Sequence, residues 1–463
     1  MERLSTGNER LDKILAGGLL RNSITLVVGA PGTGKTLLAE QCVFANASAE
    51  RPGLYLSTVS EPLDKLLRYG QSLTFFDAGQ VGRSVFYDEL GSVLDDGGLP
   101  AVLDRIDRLI KEHNPGLVVI DSFKALRAFA EDEADFRRFL HQLAGRLSAV
   151  AVSSLWLGEY AATDAIGSPE FAVADAVIDL ATKPTGERSV RYLSVLKLRG
   201  SDFASGEHSY RLSSSGVTVY PRLADPLDVA PSEAVVARLS TGILALDEAL
   251  GDGYWSGSAT LIAGPSGAGK TLMGLHFLYS GAAHDEPGVL VTFQESHSQL
   301  ARIVQGFGWS LPDPMVTVMH RSPVDVLIDE LVYDIFDKID ETHARRVVID
   351  SVNDLVFAAT DPVRFREFSY SLVRRLARTG ISVMFTLEVP ELFRIRRLSD
   401  VGISHMADNV VLLQHLHSGD EMKRALTVLK ARGTSHVSSV REFRITADGV
   451  TLGAPLDLQA LLG

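Results

Sequence analysis

Two eight-residue segments, GAPGTGKT at 29–36 and GPSGAGKT at 264–271, begin 235 positions apart in a chain of 463 residues. RLSTG at 3–7 and RLSTG at 238–242 keep the same interval. In each copy a Leu-Asp pair follows (Leu11-Asp12, Leu246-Asp247), and an apolar run leads into the glycine-rich segment, SITLVVG in one and SATLIAG in the other. Further along come GLVVIDS and RRVVIDS, then LKLRG and LKARG. A repeat of this length is a whole domain written twice, and 463 residues exceed what one ordinary core accommodates. Pro221, Pro226 and Pro231 interrupt the stretch between the copies and suit an extended linker. The expected organisation is a first domain at 1–225, a linker at 226–233 and a second domain at 234–463.

Within each copy, short apolar runs alternate with helical patterns. Strands are expected at 24–28, 53–58, 116–120 and 147–155. Between them, Leu103, Ile106, Leu109 and Ile110 share one helical face, and Phe365, Phe368, Leu372 and Leu376 do the same before ISVMFTL. Uninterrupted apolar strands between amphipathic helices predict an α/β fold, a mostly parallel sheet covered on both faces. RYLSVLKLRG and HSYRLSSSGVTVY alternate instead and read as closing hairpins.

GxxxxGK[ST] between a strand and a helix is a phosphate-binding loop with a stated mechanism. Small residues let the backbone curl until its N–H groups face phosphate oxygens: Gly29, Gly32 and Gly34 in one copy, Gly264, Ser266, Gly267, Ala268 and Gly269 in the other. Lys35 and Lys270 would reach the outer phosphates, Thr36 and Thr271 offer a hydroxyl to Mg²⁺, and Leu37 and Leu272 continue the cradle into a helix whose positive end faces the anion. One match arises by chance in about one or two per cent of chains this long. Two in repeat register exclude chance. Asp121 and Asp350 each close a four-residue apolar strand, where a carboxylate suits a Mg²⁺ contact or water positioning; the alternative is an ordinary turn or cap.

The tandem order STG, LD, GxxxxGKT, ID, LKxRG resembles the KaiC-like branch of the RecA-type ATPases across almost the full chain. That resemblance implies a two-tier homo-oligomeric ring, usually a hexamer, with ATP between neighbouring subunits. It implies that Lys197 and Arg199, and Lys430 and Arg432, reach a neighbour's phosphates; without it they read as basic residues on a strand surface. The family carries two adjacent glutamates at the tip of the strand after the phosphate-loop helix. Here these positions are Gln294 and Glu295 in domain 2, and Val59 and Ser60, with Glu61 next, in domain 1. Glu295 is therefore the expected base and domain 2 the slow hydrolase. Gln294 can hydrogen-bond a water without taking its proton. Domain 1 is expected to bind ATP and hydrolyse it poorly. Against clock members, Ser399 and Ser404 fall at hydroxyl positions and are candidates for serine autophosphorylation, while His405 stands where the principal threonine would be.

The tail after REFRITADGV is short, which argues against a KaiA-type partner; a KaiB-like partner at domain 1 stays open. The net charge of −13 and the pI of about 5.4 disfavour broad nucleic-acid or membrane binding. Neither a DNA-binding loop nor a helix-hairpin-helix appears, so a RecA-like recombination or remodelling motor is the weaker alternative. A nucleotide-sensing scaffold with negligible turnover is another. Cys42, the single cysteine, excludes an intrachain disulfide. With charges throughout MERLSTGNERLDKIL and no bilayer-length apolar run, the cytoplasm is the expected location.

Overall fold

Both copies of the repeat fold around a nine-stranded sheet. The computed structural model describes residues 2–58, 62–161, 164, 167–185, 187–223, 237–322, 324, 326–359, 361–389, 403–418, 421–447 and 449–456. The chain divides into two compact units, Met1–Asp225 and Pro226–Gly463. The linker expected at 226–233 lies outside the described residues.

The first unit contains β1 (Ile24–Gly29), β2 (Gly53–Ser57), β3 (Val85–Glu89), β4 (Leu117–Asp121), β5 (Ser153–Gly158), β6 (Ala176–Thr185), β7 (Arg188–Leu198), β8 (His208–Ser213) and β9 (Gly216–Tyr220). They lie in the order β9-β8-β7-β6-β1-β5-β4-β2-β3. From β6 to β3 the strands are parallel, and β7 to β9 add antiparallel hairpins. The second unit has β10 (Ala259–Gly264), β11 (Gly288–Thr292), β12 (Val316–His320), β13 (Arg346–Asp350), β14 (Ser382–Glu388), β15 (Asn409–Ser418), β16 (Glu421–Ala431), β17 (Arg441–Thr446) and β18 (Gly449–Pro455). Its order, β12-β11-β13-β14-β10-β15-β16-β17-β18, is the same arrangement.

The central strands are apolar on both faces because helices cover both. Every residue of β1, β10 and β13 is buried. Successive side chains of β1 alternate between two cores. Val27 joins Leu38, Ala39 and Val43 of α1 (Lys35–Asn46), the helix that follows the phosphate loop. Leu26 and Val28 face the opposite core, with Leu103 and Ile106 of α2 (Gly91–His113) and Phe136 and Leu140 of α3 (Glu133–Ala149). In the second unit, α4 (Lys270–Ala282) follows the phosphate loop, and α5 (Pro362–Arg378) buries Phe365, Phe368, Leu372 and Leu376. At its start Asp361 caps the backbone N–H of Val363 and Pro362 occupies the first turn.

The words STG and LD recur because they staple the start of each domain. Asp12 accepts from the Thr6 backbone N–H at 2.7 Å and from the Ser5 hydroxyl at 2.7 Å. Asp247 does the same with Thr241 at 2.7 Å and Ser240 at 2.6 Å. One expectation needs correction. The run at 147–155 is not a single strand: α3 continues to Ala149, and β5 begins at Ser153. Among the described residues, no helix is long and apolar enough to cross a membrane.

Candidate functional site

Each phosphate loop leaves the carboxyl end of a central strand, where ligands of open parallel sheets bind. The loop after β1 passes through Gly32 (φ 76°) to Gly34 (φ 93°), whose left-handed conformation turns the chain into α1. After β10 the turn is made through Gly267 (φ 72°) and Gly269 (φ 101°). Gly29 and Gly264 sit at the strand ends, each pressed against a neighbouring strand; a Cβ at Gly29 would lie 2.2 Å from the Leu180 carbonyl oxygen. Gly32, Gly34, Lys35, Thr36 and Leu37 line a cavity of about 610 Å³. Ser266, Gly267, Gly269, Lys270, Thr271 and Leu272 line one of about 310 Å³, while Ala268 is buried and not part of the lining.

The Lys35 ammonium donates to the carbonyls of Gly29 and Ala30, each at 2.9 Å, and Lys270 donates to Pro265 at 2.9 Å. Burial lowers both lysine pKa values; Glu159 and Asp121 oppose this at Lys35, and Glu388, Asp350 and Glu295 at Lys270. Glu388 Oε2 stands 4.0 Å from Lys270 Nζ. Both acids sit where a central strand gives out beside the loop, and both line the cavities. The sequence reading missed them, although the parallel endings LWLGE and MFTLE carry the signal.

Both hydroxyl–carboxylate pairs form. Thr36 Oγ1 donates to Asp121 Oδ2 at 2.7 Å, and Thr271 Oγ1 to Asp350 Oδ2 at 2.6 Å. The domains differ in what else holds the acid. Tyr55 donates to Asp121 Oδ2 at 2.7 Å. Burial and the Asp121 charge keep that phenol protonated, far above its ordinary range. In domain 2, Thr386 donates to Asp350. Among the described residues no group of three or more His, Cys, Asp or Glu could hold a metal alone. One hydroxyl and one carboxylate oxygen fit Mg²⁺ when nucleotide phosphates and water complete the shell.

Glu295 joins the domain 2 site: Thr292 donates to its Oε2 at 3.0 Å, and Thr271 Oγ1 lies 3.4 Å from its Oε1. Gln294, Glu295, Asp350 and Ser351 all line the cavity. Gln294 also bonds Asp354, a residue without a motif to announce it. Val59, Ser60 and Glu61 lie outside the described residues.

Lys197, Arg199, Lys430 and Arg432 are not brought to the loops of their own domains. Lys197 pairs with Val177, and the backbone N–H of Arg199 bonds Asp175, which in turn bonds Ile24 at the start of β1. The phosphate loop leaves from the other end, roughly 15–20 Å away along the strand. Arg432, Asp408 and Ala259 repeat this geometry. Lys197 donates to the carbonyls of Phe171 and Ala172, and Lys430 to those of Ser404 and Ala407. Burial, then the adjacent arginine, lowers each lysine's pKa. Ser404 thus lies at this distant end, beside His405, whose carbonyl accepts from Arg432 at 3.3 Å. Ser399 lies outside the described residues.

The comparisons agree on both halves. A family model described as "ATPase: KaiC" matches residues 4–224 and 239–457. The circadian clock oscillator protein KaiC of Picosynechococcus sp. is 30% identical over 467 residues, covering 98% of this chain and 90% of that protein. The circadian clock protein KaiC3 of Synechocystis sp. is 30% identical over 473 residues, covering 98% and 92%. The circadian clock oscillator protein KaiC of Synechococcus elongatus is 28% identical over 463 residues, covering 96% and 88%.

Proposed function

The chain belongs to the KaiC family of ATPases, and from that premise we propose that it is a ring-forming regulatory ATPase. Both phosphate loops bind ATP with Mg²⁺, and domain 2 hydrolyses it slowly. The observation that carries this reading is the Thr271 hydroxyl, set between Asp350 at 2.6 Å and Glu295 at 3.4 Å. A carboxylate beside the hydroxyl assigned to the cation supports a role for Glu295 in orienting water at the terminal phosphate.

In this mechanism Lys270 and the N-terminus of α4 hold the phosphates, and Thr271 with Asp350 would hold Mg²⁺, which neutralises developing charge when bound. Glu295 takes one proton from the attacking water. As the new oxygen–phosphorus bond forms, the bond to the bridging oxygen breaks and ADP leaves with that electron pair. Lys430 and Arg432, remote from their own loop, act on the nucleotide of a neighbouring subunit; Lys197 and Arg199 do so in domain 1. With Val59 and Ser60 in sequence where domain 2 has Gln294 and Glu295, domain 1 is a binding tier of low turnover. If Ser404 is an autophosphorylation site, its place beside Lys430 requires the phosphoryl donor to come from the neighbour as well.

Steady-state Mg²⁺-ATP hydrolysis by the wild-type chain and by Glu295→Ala tests the reading. A positioned base is worth about 10²–10⁴ in rate, so at least a ten-fold loss with assembly intact is expected. An unchanged rate overturns the assignment and moves turnover to domain 1.

A further inference from the structure

We infer that Asp354 is a positioning residue that fixes the Gln294 amide so that its carbonyl oxygen faces the phosphate-loop cavity of domain 2. This rests on the reading that domain 2 turns over nucleotide. Asp354 is only 8% exposed and lies on the short helix Val352–Ala358 that follows β13. Two donors converge on its Oδ2: the Ser351 hydroxyl at 2.7 Å and Gln294 Nε2 at 3.4 Å. A carboxylate only accepts, so the Gln294 end that meets it must be the NH₂ group. The planar amide then turns its oxygen away from Asp354. Gln294 lines the cavity and Asp354 does not; on this inference the freed oxygen is the end of the amide that meets the cavity.

The site thereby gains a fixed, uncharged acceptor next to Glu295. It can take one O–H of the attacking water while Glu295 takes the other, and it cannot accept the proton. A water held at both hydrogens keeps a lone pair aimed at phosphorus, a saving in orientation that acts on kcat.

The repeat supplies an internal control. The strand ends Asp121-Ser122 and Asp350-Ser351 correspond, each closing the apolar strand VVID. On that register Asp354 corresponds to Ala125, and Gln294, counted from the phosphate loops, to Val59. Domain 1 lacks both amide and acid; domain 2 has both. Asp354 also dictates the residue type, because a glutamate at 294 would bring a second carboxylate to within hydrogen-bond range of the first.

The test is a double-mutant cycle in the full chain, reading kcat and KM for Mg²⁺-ATP in Gln294→Glu, Asp354→Asn and the double variant, with Glu295→Ala alongside. Gln294→Glu alone should lower kcat by about ten-fold or more with KM within about three-fold, and adding Asp354→Asn, whose amide can donate to the new carboxylate, should restore kcat to within about three-fold of wild type. Asp354→Asn alone is nearly isosteric and should lose about three-fold, since its amide holds Gln294 in either orientation. Equal effects of Gln294→Glu in both backgrounds overturn the inference, as does no effect at all. Glu295→Ala separates the two claims. If it is inactive and the cycle additive, only the role of Asp354 falls; if it keeps the wild-type rate, the reading of domain 2 falls and this inference with it.

Discussion

At position 276 an imidazole does in one domain what the amide of Gln41 does in the other. Gln41 donates to the Gly7 carbonyl at 2.9 Å and accepts from the Val217 backbone N–H at 2.9 Å. His276 accepts from the Val450 N–H through Nε2 at 3.1 Å and bonds the Gly242 backbone. Only a neutral ring can accept from Val450, and burial pushes the His276 pKa down from 6.5 to about 4. Between those values the unfolded chain binds a proton that the native ring does not. The stability is therefore complete above pH 6.5 and lost as pH falls toward 4, by about 2 kcal/mol at pH 5. Denaturant unfolding at pH 7.5 and pH 5 should show that loss in wild type and a reduced one in His276→Gln, because Gln41 demonstrates that glutamine can make both bonds. The same pH gap in both proteins would refute the assignment. Neither residue was legible as a pair: glutamine and histidine share no motif, only two hydrogen bonds. That Thr36 and Asp121 meet, and Thr271 and Asp350, was legible because the strand–GxxxxGK[ST]–helix pattern fixes both residue type and spacing. Tyr55, which grips Asp121, was hidden inside an apolar strand.

The elements were readable where a turn announced itself. ISVMFTL was separated from the preceding helix by Gly380 (φ 73°), a residue type that marks left-handed backbone. The matching turn in domain 1 uses Ala151 (φ 54°), flanked by Val150 and Val152, so the apolar run carries on through helix end, turn and strand without punctuation. That is why the sequence reads as one strand over 147–155. The closing hairpins were legible as alternating strands, yet their placement was not. Only the sheet register puts LKLRG and LKARG at the end opposite the phosphate loops. The loops make the sharpest prediction at this scale. Gly34 and Gly269 hold left-handed conformations that cost an L-residue about 1–2 kcal/mol, and a Cβ at Gly34 would lie 2.8 Å from Leu212 Cδ2. Alanine at either site should lower ATP affinity of that domain by about ten-fold, since preorganised N–H groups are lost. Titration with a fluorescent ATP analogue should show one class of site weakened in each variant and the other retained. Two intact classes would show that the loop tolerates the residue.

For the whole molecule, the distance between each LKxRG hairpin and its own phosphate loop has a consequence that no single-chain property can mimic. If Arg432 serves a nucleotide held by another copy, the catalytic unit is an interface, with Glu295 from one side and Arg432 from the other. Interfaces in a ring are heterologous, so each subunit contributes its loop to one neighbour and its hairpin to the next. Glu295→Ala and Arg432→Ala should each be nearly inactive alone. Mixed in equal amounts before the proposed ring is assembled, they should form interfaces in which an Arg432→Ala subunit offers Glu295 to the intact Arg432 of a Glu295→Ala subunit. Random placement makes about one interface in four complete, so hydrolysis should recover to about a quarter of the wild-type rate. Recovery should also depend on the mixing ratio and peak near equality, because the product of the two fractions is largest there. Were Arg432 to act on its own chain's nucleotide, every subunit in the mixture would carry one defect, and the rate would stay at the level of the single variants at every ratio.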